Sequence, residues 1–220
     1  MLAFVDPETL TWADGPVLVV AVCVWWYWAA VVALSWLRRV WTGQRGALRP
    51  RAMSDRWLMR FWILVIVAWN VLPAMALHKG APPWGPFAAA LASPLVYVRW
   101  IAAAGAVGCV VVTVRCWVEM GKDWSVAIVE EGEGQGLVTT GLFRLVRHPI
   151  YALSVLMVVL TAVAVMSWPM ALAAIAHVTM MNLKARREEQ ALIGVFGDAY
   201  RDYMKNTGRF VPRLNRVTSV

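Results

Sequence analysis

Two short stretches carry the residues whose types and spacing could do chemistry. The first is GLFRLVRHPIY (141–151), with Arg147 and His148 directly before Pro149. A residue that precedes proline is pushed out of the α region, and proline suits the first turn of a helix. His148 is therefore expected at or near a helix N-cap, with unpaired backbone N–H groups just beyond it. A helix start of that kind, with an arginine beside it, can hold a carboxylate or a phosphate. The second stretch is KARREE (184–189), in which Lys184 and Glu188 lie four apart and share a helix face. On the residues alone each stretch has a plainer reading as well. Arg147 and His148 could snorkel to a membrane interface, and KARREE could be a solvated charge run at a helix exit.

The elements that must position these residues are apolar. The chain is 60% hydrophobic and 15% charged and contains 14 Trp. A soluble domain carries roughly 25% charged residues. Tryptophan favours membrane–water interfaces, and the long, non-alternating apolar runs fit helices rather than a barrel. The fold class expected is all-α integral membrane, with about five transmembrane helices. Spans are drawn at Val17–Leu37, Phe61–Leu77, Leu95–Trp117, Ile150–Met166 and Pro169–Leu183. Only Ser167 and Trp168 separate the last two, which predicts a tight helical hairpin. The Pro-rich piece PPWGPFAAALASP (82–94) is read as interfacial or re-entrant.

Charge sets the expected orientation. Arginines crowd residues 38–60, and further basic residues follow in 115–149 and after 183, whereas the first stretch is acidic. The positive-inside rule places the N-terminus outside and the C-terminus in the cytoplasm, consistent with an odd number of spans. The membrane is then expected to be a bacterial-type inner (plasma) membrane. The net charge of +8 is explained by topology and anionic lipid, and no nucleic acid is needed. Cys23, Cys109 and Cys116 lie in or beside apolar runs without a C-x-x-C pair, so plain packing is expected and no metal. The opening residues lack the basic n-region of a signal peptide.

Other polar residues receive structural readings. His177, inside the fifth span, is expected to be bonded to a neighbouring helix. Asn70 with Pro73 suggests a kink or an interhelical hydrogen bond, and Arg99 is expected to snorkel outward. The Trp25–Trp28 aromatic run reads as lipid-facing or packing surface. In residues 182–206, Leu192, Phe196, Tyr200 and Tyr203 fall on one helical face, and Gly197-Asp198 marks a break and a new N-cap. The tail is expected to fold back over the site.

The motifs also have an order: GKDWS (121–125), LVTTGLFRLVRHPIY (137–151), an apolar hairpin, EEQAL, FGDAYRDY (196–203) and GRFVP (208–212). Across about residues 115–213 this order resembles the isoprenylcysteine carboxyl methyltransferase and phospholipid methyltransferase superfamily. The resemblance divides the chain into N-terminal transmembrane helices (1–114) and a cofactor-binding half (115–220). It implies a membrane enzyme that moves a methyl group from S-adenosylmethionine to a lipophilic or small membrane-soluble acceptor. It places Gln135, Leu137, Val138, Phe143, His148, Tyr151 and Glu188 around the cofactor on the cytoplasmic side, and on the residues alone Glu188 or Glu189 suits the donor's ammonium or ribose hydroxyls. The catalytic candidates are Lys184, which the resemblance puts near the methyl acceptor, and Arg147, whose charge beside the helix start suits a carboxylate. Lys184 stands where the family usually has Arg, keeping the charge without the bidentate grip on a carboxylate. Phe143 stands where the family often has Tyr. Two rival readings share the scaffold: an NADPH-dependent reductase of the sterol type, and a membrane protein without catalytic activity.

Overall fold

The computed structural model describes residues 11–42, 53–77, 95–121 and 137–213, and among them every named element is helical. Helix α1 is Gly15–Thr42, α2 Met53–Leu77 and α3 Leu95–Met120. A short 3₁₀ turn, Gly141–Arg144, precedes α4 (Pro149–Val165), α5 (Trp168–Phe196) and α6 (Asp198–Asn206). Gln135 and the Pro-rich stretch 82–94 lie outside the described residues, as does most of GKDWS.

Local chemistry sets the helix ends. Asp14 accepts from the Thr11 backbone N–H at 2.9 Å and from its hydroxyl at 2.6 Å, forming a turn before α1. Pro149 opens α4, with His148 as its N-cap, as the X-Pro pattern predicts. The α4–α5 hairpin closes through Met166 and Ser167. Met166 is left-handed (φ 50°), an unusual state for a residue with a Cβ, and costs roughly 1–2 kcal/mol. The Ser167 hydroxyl accepts from Met170 N–H, restoring one bond at the start of α5.

Helices α1, α2, α4 and α5 surround a core continued by α3, which packs on both α1 and α4. Ala102, Ala103 and Ala106 are buried on α3. A Cβ on Gly105 would come 3.0 Å from Leu160 of α4, so small residues set the close approach of these two helices. Cys23, Cys109 and Cys116 are buried free thiols that pack as apolar groups. Around this core the bundle exposes Val22, Val32, Leu64, Ile101, Val111, Leu172 and Ile175, an apolar belt suited to lipid. Among the described residues three helices are long and apolar enough to cross a membrane: Gly15–Leu37, Met59–Leu77 and Leu95–Met120. Helix α4 is apolar but only 17 residues long.

Three expectations change. Arg99 does not snorkel. It is 1% exposed, and its Nε donates to the Ala164 carbonyl at 2.7 Å. The last carbonyls of α4 lack helical donors and carry the negative end of its dipole, so they draw a cation inward. The interhelical bond at Asn70 uses its backbone carbonyl, which accepts from Trp25 Nε1 at 3.0 Å, while its side chain bonds Ile66 within α2. The helix of the fifth span does not end with its apolar run at Leu183, because α5 continues unbroken to Phe196. Lys, Ala, Arg, Glu and Gln in KARREEQ are all good helix formers. The break comes at Gly197 (φ 56°), which itself caps α6, and Asp198 falls in the first turn.

His177 and the Trp25–Trp28 run agree with their structural readings. His177 Nε2 lies 2.8 Å from Ser154 Oγ on α4. Tyr27 packs edge-on to Trp28 and against Trp117, while Trp26 is exposed at 47%.

Candidate functional site

The candidate site is built at the end of the α4–α5 hairpin that holds His148 and Glu189. Pro149 directs the chain from the 3₁₀ turn into α4, so Arg147 and His148 precede its first turn and Tyr151 lies within it. On α5, Lys184, Glu188 and Glu189 project towards them. The Tyr151 hydroxyl donates to Glu188 Oε2 at 2.6 Å. The His148 ring stacks on that of Tyr151, 5.2 Å between centroids and 6° from parallel. Its Nδ1 is 3.9 Å from Glu188 and its Nε2 is 3.4 Å from Glu189. Lys184 Nζ sits 5.0 Å from the centroids of both Tyr151 and Trp62, held between two aromatic faces. Each desolvated cation–π contact of this kind is worth about 2 kcal/mol.

Glu189 is the most heavily bonded group. Arg147 Nε donates to it at 2.9 Å, and Arg209 grips it through Nε and Nη2, the latter at 2.6 Å. Burial alone pushes this carboxyl up. Hydrogen bonds from His148, Arg209 and Arg147 outweigh burial and hold it well below the usual carboxylate range. Arg209 spends its remaining Nη1 on Asn182 Oδ1 at 3.0 Å.

The segment after α6 completes the structure. Arg147 N–H donates to Gly208 O at 2.8 Å and Gly208 N–H to Leu145 O at 3.3 Å, forming a parallel bridge between Val146 and Gly208, and His148 N–H donates to Arg209 O at 3.1 Å. The Arg147 guanidinium also donates to the carbonyls of Met204 and Thr207 at the end of α6. The Tyr203 hydroxyl donates to the carbonyl of buried Phe143 at 2.5 Å. Burial pushes the Tyr203 phenol up to about 12, so it remains a donor across the neutral range. Gly141 (φ 50°) takes a left-handed conformation that strains a residue with a Cβ, beside the Glu119 carboxylate at the end of α3.

The fold thus gathers Phe143, Arg147, His148, Tyr151, Lys184, Glu188 and Glu189. Leu137 and Val138 lie half-buried in the extended run before the 3₁₀ turn. Sequence reasoning missed Arg209, Asn182, Tyr203, Thr207, Phe210 and Trp62 as members. The GRFVP motif pointed at Arg209 and Phe210 without naming a partner for either. Phe210 stands edge-on to His148 at 6.3 Å.

Residues 102–194 match the model of the isoprenylcysteine carboxyl methyltransferase (ICMT) family. The matched residues take in α4 with nearly all of α5 and leave out the tail that carries Arg209. The solved structure of the eukaryotic intramembrane Ras methyltransferase ICMT is similar over 75% of this chain, with 18% identity and a TM-score of 0.47. The chain covers 54% of that protein's length. No curated protein sequence matches the chain.

Proposed function

We propose that the protein is a membrane methyltransferase that uses S-adenosylmethionine and methylates a lipophilic or small membrane-soluble acceptor. The observation that supports this best is the meeting of Arg147-His148-Pro149 and Tyr151 with Lys184, Glu188 and Glu189, inside the stretch that matches the isoprenylcysteine carboxyl methyltransferase family. S-adenosylmethionine, when bound, supplies a methyl group activated on a positive sulfur.

The residues present suit such a donor. His148 is buried, its ring stacked on Tyr151 and its Nε2 3.4 Å from Glu189, so the imidazole lines the donor end. Glu188 spends one oxygen on Tyr151 and stays partly accessible, which suits an ammonium or ribose hydroxyls. Phe210 offers an aromatic ring beside His148, where a sulfonium would be stabilised by the ring quadrupole. Leu137, Val138 and Phe143 supply apolar wall, and Gln135 completes the set of cofactor residues. Arg147 and Glu189 serve as positioning residues, because their hydrogen-bonding groups are committed to each other and to the tail. Lys184, between Tyr151 and Trp62, faces the acceptor side. Holding donor and acceptor in line supplies several kcal/mol, up to about 7–11 in ideal cases.

In this reading the bundle has five membrane helices, with the N-terminus outside and the C-terminus in the cytoplasm of a bacterial-type inner membrane. The donor reaches the site from water and the acceptor from lipid. Calorimetry with S-adenosylhomocysteine on the purified protein in detergent tests the reading, followed by radiolabelled methyl transfer to carboxylate, amine and thiol acceptors. Binding that Glu188→Ala abolishes supports it. Stabilisation by NADPH with no response to S-adenosylhomocysteine would replace it with a reductase.

A further inference from the structure

A second polar cluster lies deeper in the bundle. Trp62 and Trp69 are seven apart on α2, and Lys184 and His177 are seven apart on α5. The two pairs form two rungs: Trp62 on Lys184 at 5.0 Å, and Trp69 against His177 at 4.8 Å. Seven helical residues put the rungs about 10 Å apart at their Cα atoms. Lysine side chains on a helix lean towards its N-terminus, so Lys184 reaches back towards His177, and the two groups are within electrostatic range. On α4, Tyr151 serves the first rung and Ser154 the second.

His177 is fully buried. Its Nε2 pairs with Ser154 Oγ at 2.8 Å, and its Nδ1 has no hydrogen-bond partner among the described residues. The Ser154 hydroxyl is also hydrogen-bonded to Tyr27 of α1. A serine that donates to Tyr27 can accept the Nε2 proton, which leaves Nδ1 with a bare lone pair. An imidazole nitrogen left unpaired in a dry interior is destabilising. Leucine or phenylalanine would fill the position without that cost.

We propose that His177 is the general base for a neutral protic acceptor, a thiol or phenolic hydroxyl, which enters from lipid and donates its hydrogen bond to Nδ1. This rests on the methyltransferase reading and narrows it, because a carboxylate acceptor needs no base. As the acceptor sulfur or oxygen bonds the methyl carbon, the carbon–sulfonium bond breaks and its electron pair stays on the donor sulfur. The acceptor's proton passes to His177 Nδ1. Ser154 holds the tautomer, and the Lys184 ammonium lowers the cost of negative charge on the acceptor. His148 is less suited to this task, because both its ring nitrogens face carboxylates at the donor end.

The test uses the full-length protein in detergent with dodecanethiol, dodecylphenol and dodecanoate as probes. His177→Gln keeps a donor near Ser154 but has no basic nitrogen. Its expected loss in kcat with the thiol or phenol is about 100-fold or more, the usual span of general-base catalysis. S-adenosylhomocysteine binding is expected to be unchanged. Thiol binding in the presence of S-adenosylhomocysteine, read by calorimetry, is expected to weaken about tenfold, the 1.4 kcal/mol scale of one hydrogen bond. Ser154→Ala, a milder change, is expected to lower kcat about tenfold with KM unchanged, in the low range for a group acting through the base. Thiol transfer by His177→Gln within threefold of wild type overturns the proposal. So does a wild-type enzyme that methylates only dodecanoate or fails to bind the thiol. If His177→Gln loses S-adenosylhomocysteine binding, an unchanged rate in Ser154→Ala overturns it instead. Absence of S-adenosylhomocysteine binding by the wild type sinks the methyltransferase reading, and this proposal with it.

Discussion

Helix α4 has an arginine with a buried side chain at each end, and the two are held by different means. At the C-terminal end, Arg99 reaches from α3 and donates to Ala164 O, where the helix dipole favours positive charge. At the N-terminal end the same dipole repels a cation. Arg147 is therefore turned away from α4, onto the last carbonyls of α6 and onto Glu189. One arginine is held by backbone alone, with Asp14 in electrostatic range. The other needs a carboxylate, which in turn needs Arg209. The end that favours a cation can be simple, whereas the end that opposes it requires an ion-pair network. That network lies within the candidate donor site.

This contrast can be broken from either end. The largest effect is expected for Glu189→Gln. Removing one partner of a buried ion pair costs about 3–5 kcal/mol and leaves Arg147 and Arg209 uncompensated. Thermal melting in detergent is expected to fall steeply, with loss of S-adenosylhomocysteine binding. Arg99→Leu is expected to cost less, about 1–3 kcal/mol for an unpaired carbonyl, and to leave that binding intact. Equal losses of ligand binding in the two variants would erase the distinction between the ends.

Acid separates the ends further. Glu189 has a folded pKa held below its ordinary 4.5, so its contribution to stability is complete above about that pH. The contribution is lost as pH falls towards the depressed folded value. Melting temperature is therefore expected to drop below pH 4.5 in the wild type and in Arg99→Leu. Glu189→Gln is expected to lack that part of the drop. The smallest effect belongs to the helix interior, between the two ends. Trp69 Nε1 donates to Thr161 Oγ1 at 3.1 Å, and Thr161→Val is expected to cost only about 0.6 kcal/mol, the average for such bonds between membrane helices. A double-mutant cycle with Trp69→Phe measures it.

The sequence made one end of α4 far more legible than the other. His148-Pro149 announces a helix start through local sterics, Ser167-Trp168-Pro169 announces the hairpin, and Gly197 announces the break before α6. Each of these rests on a few neighbouring residues. Arg99 was misread because an arginine near a span end can point to water or to a neighbouring helix's carbonyls. The choice depends on α4 ending beside it, 65 residues away in sequence. Arg209 was missed for a related reason. GRFVP is visible as a motif, but its pairing with Glu189 and Asn182 depends on α5 continuing past Leu183 as one helix. The family resemblance pointed to His148, Tyr151 and Glu188, and the structure brings these together with Lys184. It gave no sign of His177, whose role depends on Trp69 and Ser154 arriving from two other helices.

The bonds of Arg147 to Met204 and Thr207, with Arg209 on Glu189, also fix an order of assembly. Translation proceeds from the N-terminus, so the hairpin is made before the segment that neutralises it. Until residues 204–209 emerge, Arg147 and Glu189 share fewer partners than they have in the finished protein. Both must then keep water as a partner in place of the missing groups. This end of the hairpin is thus the last part of the described fold to be completed.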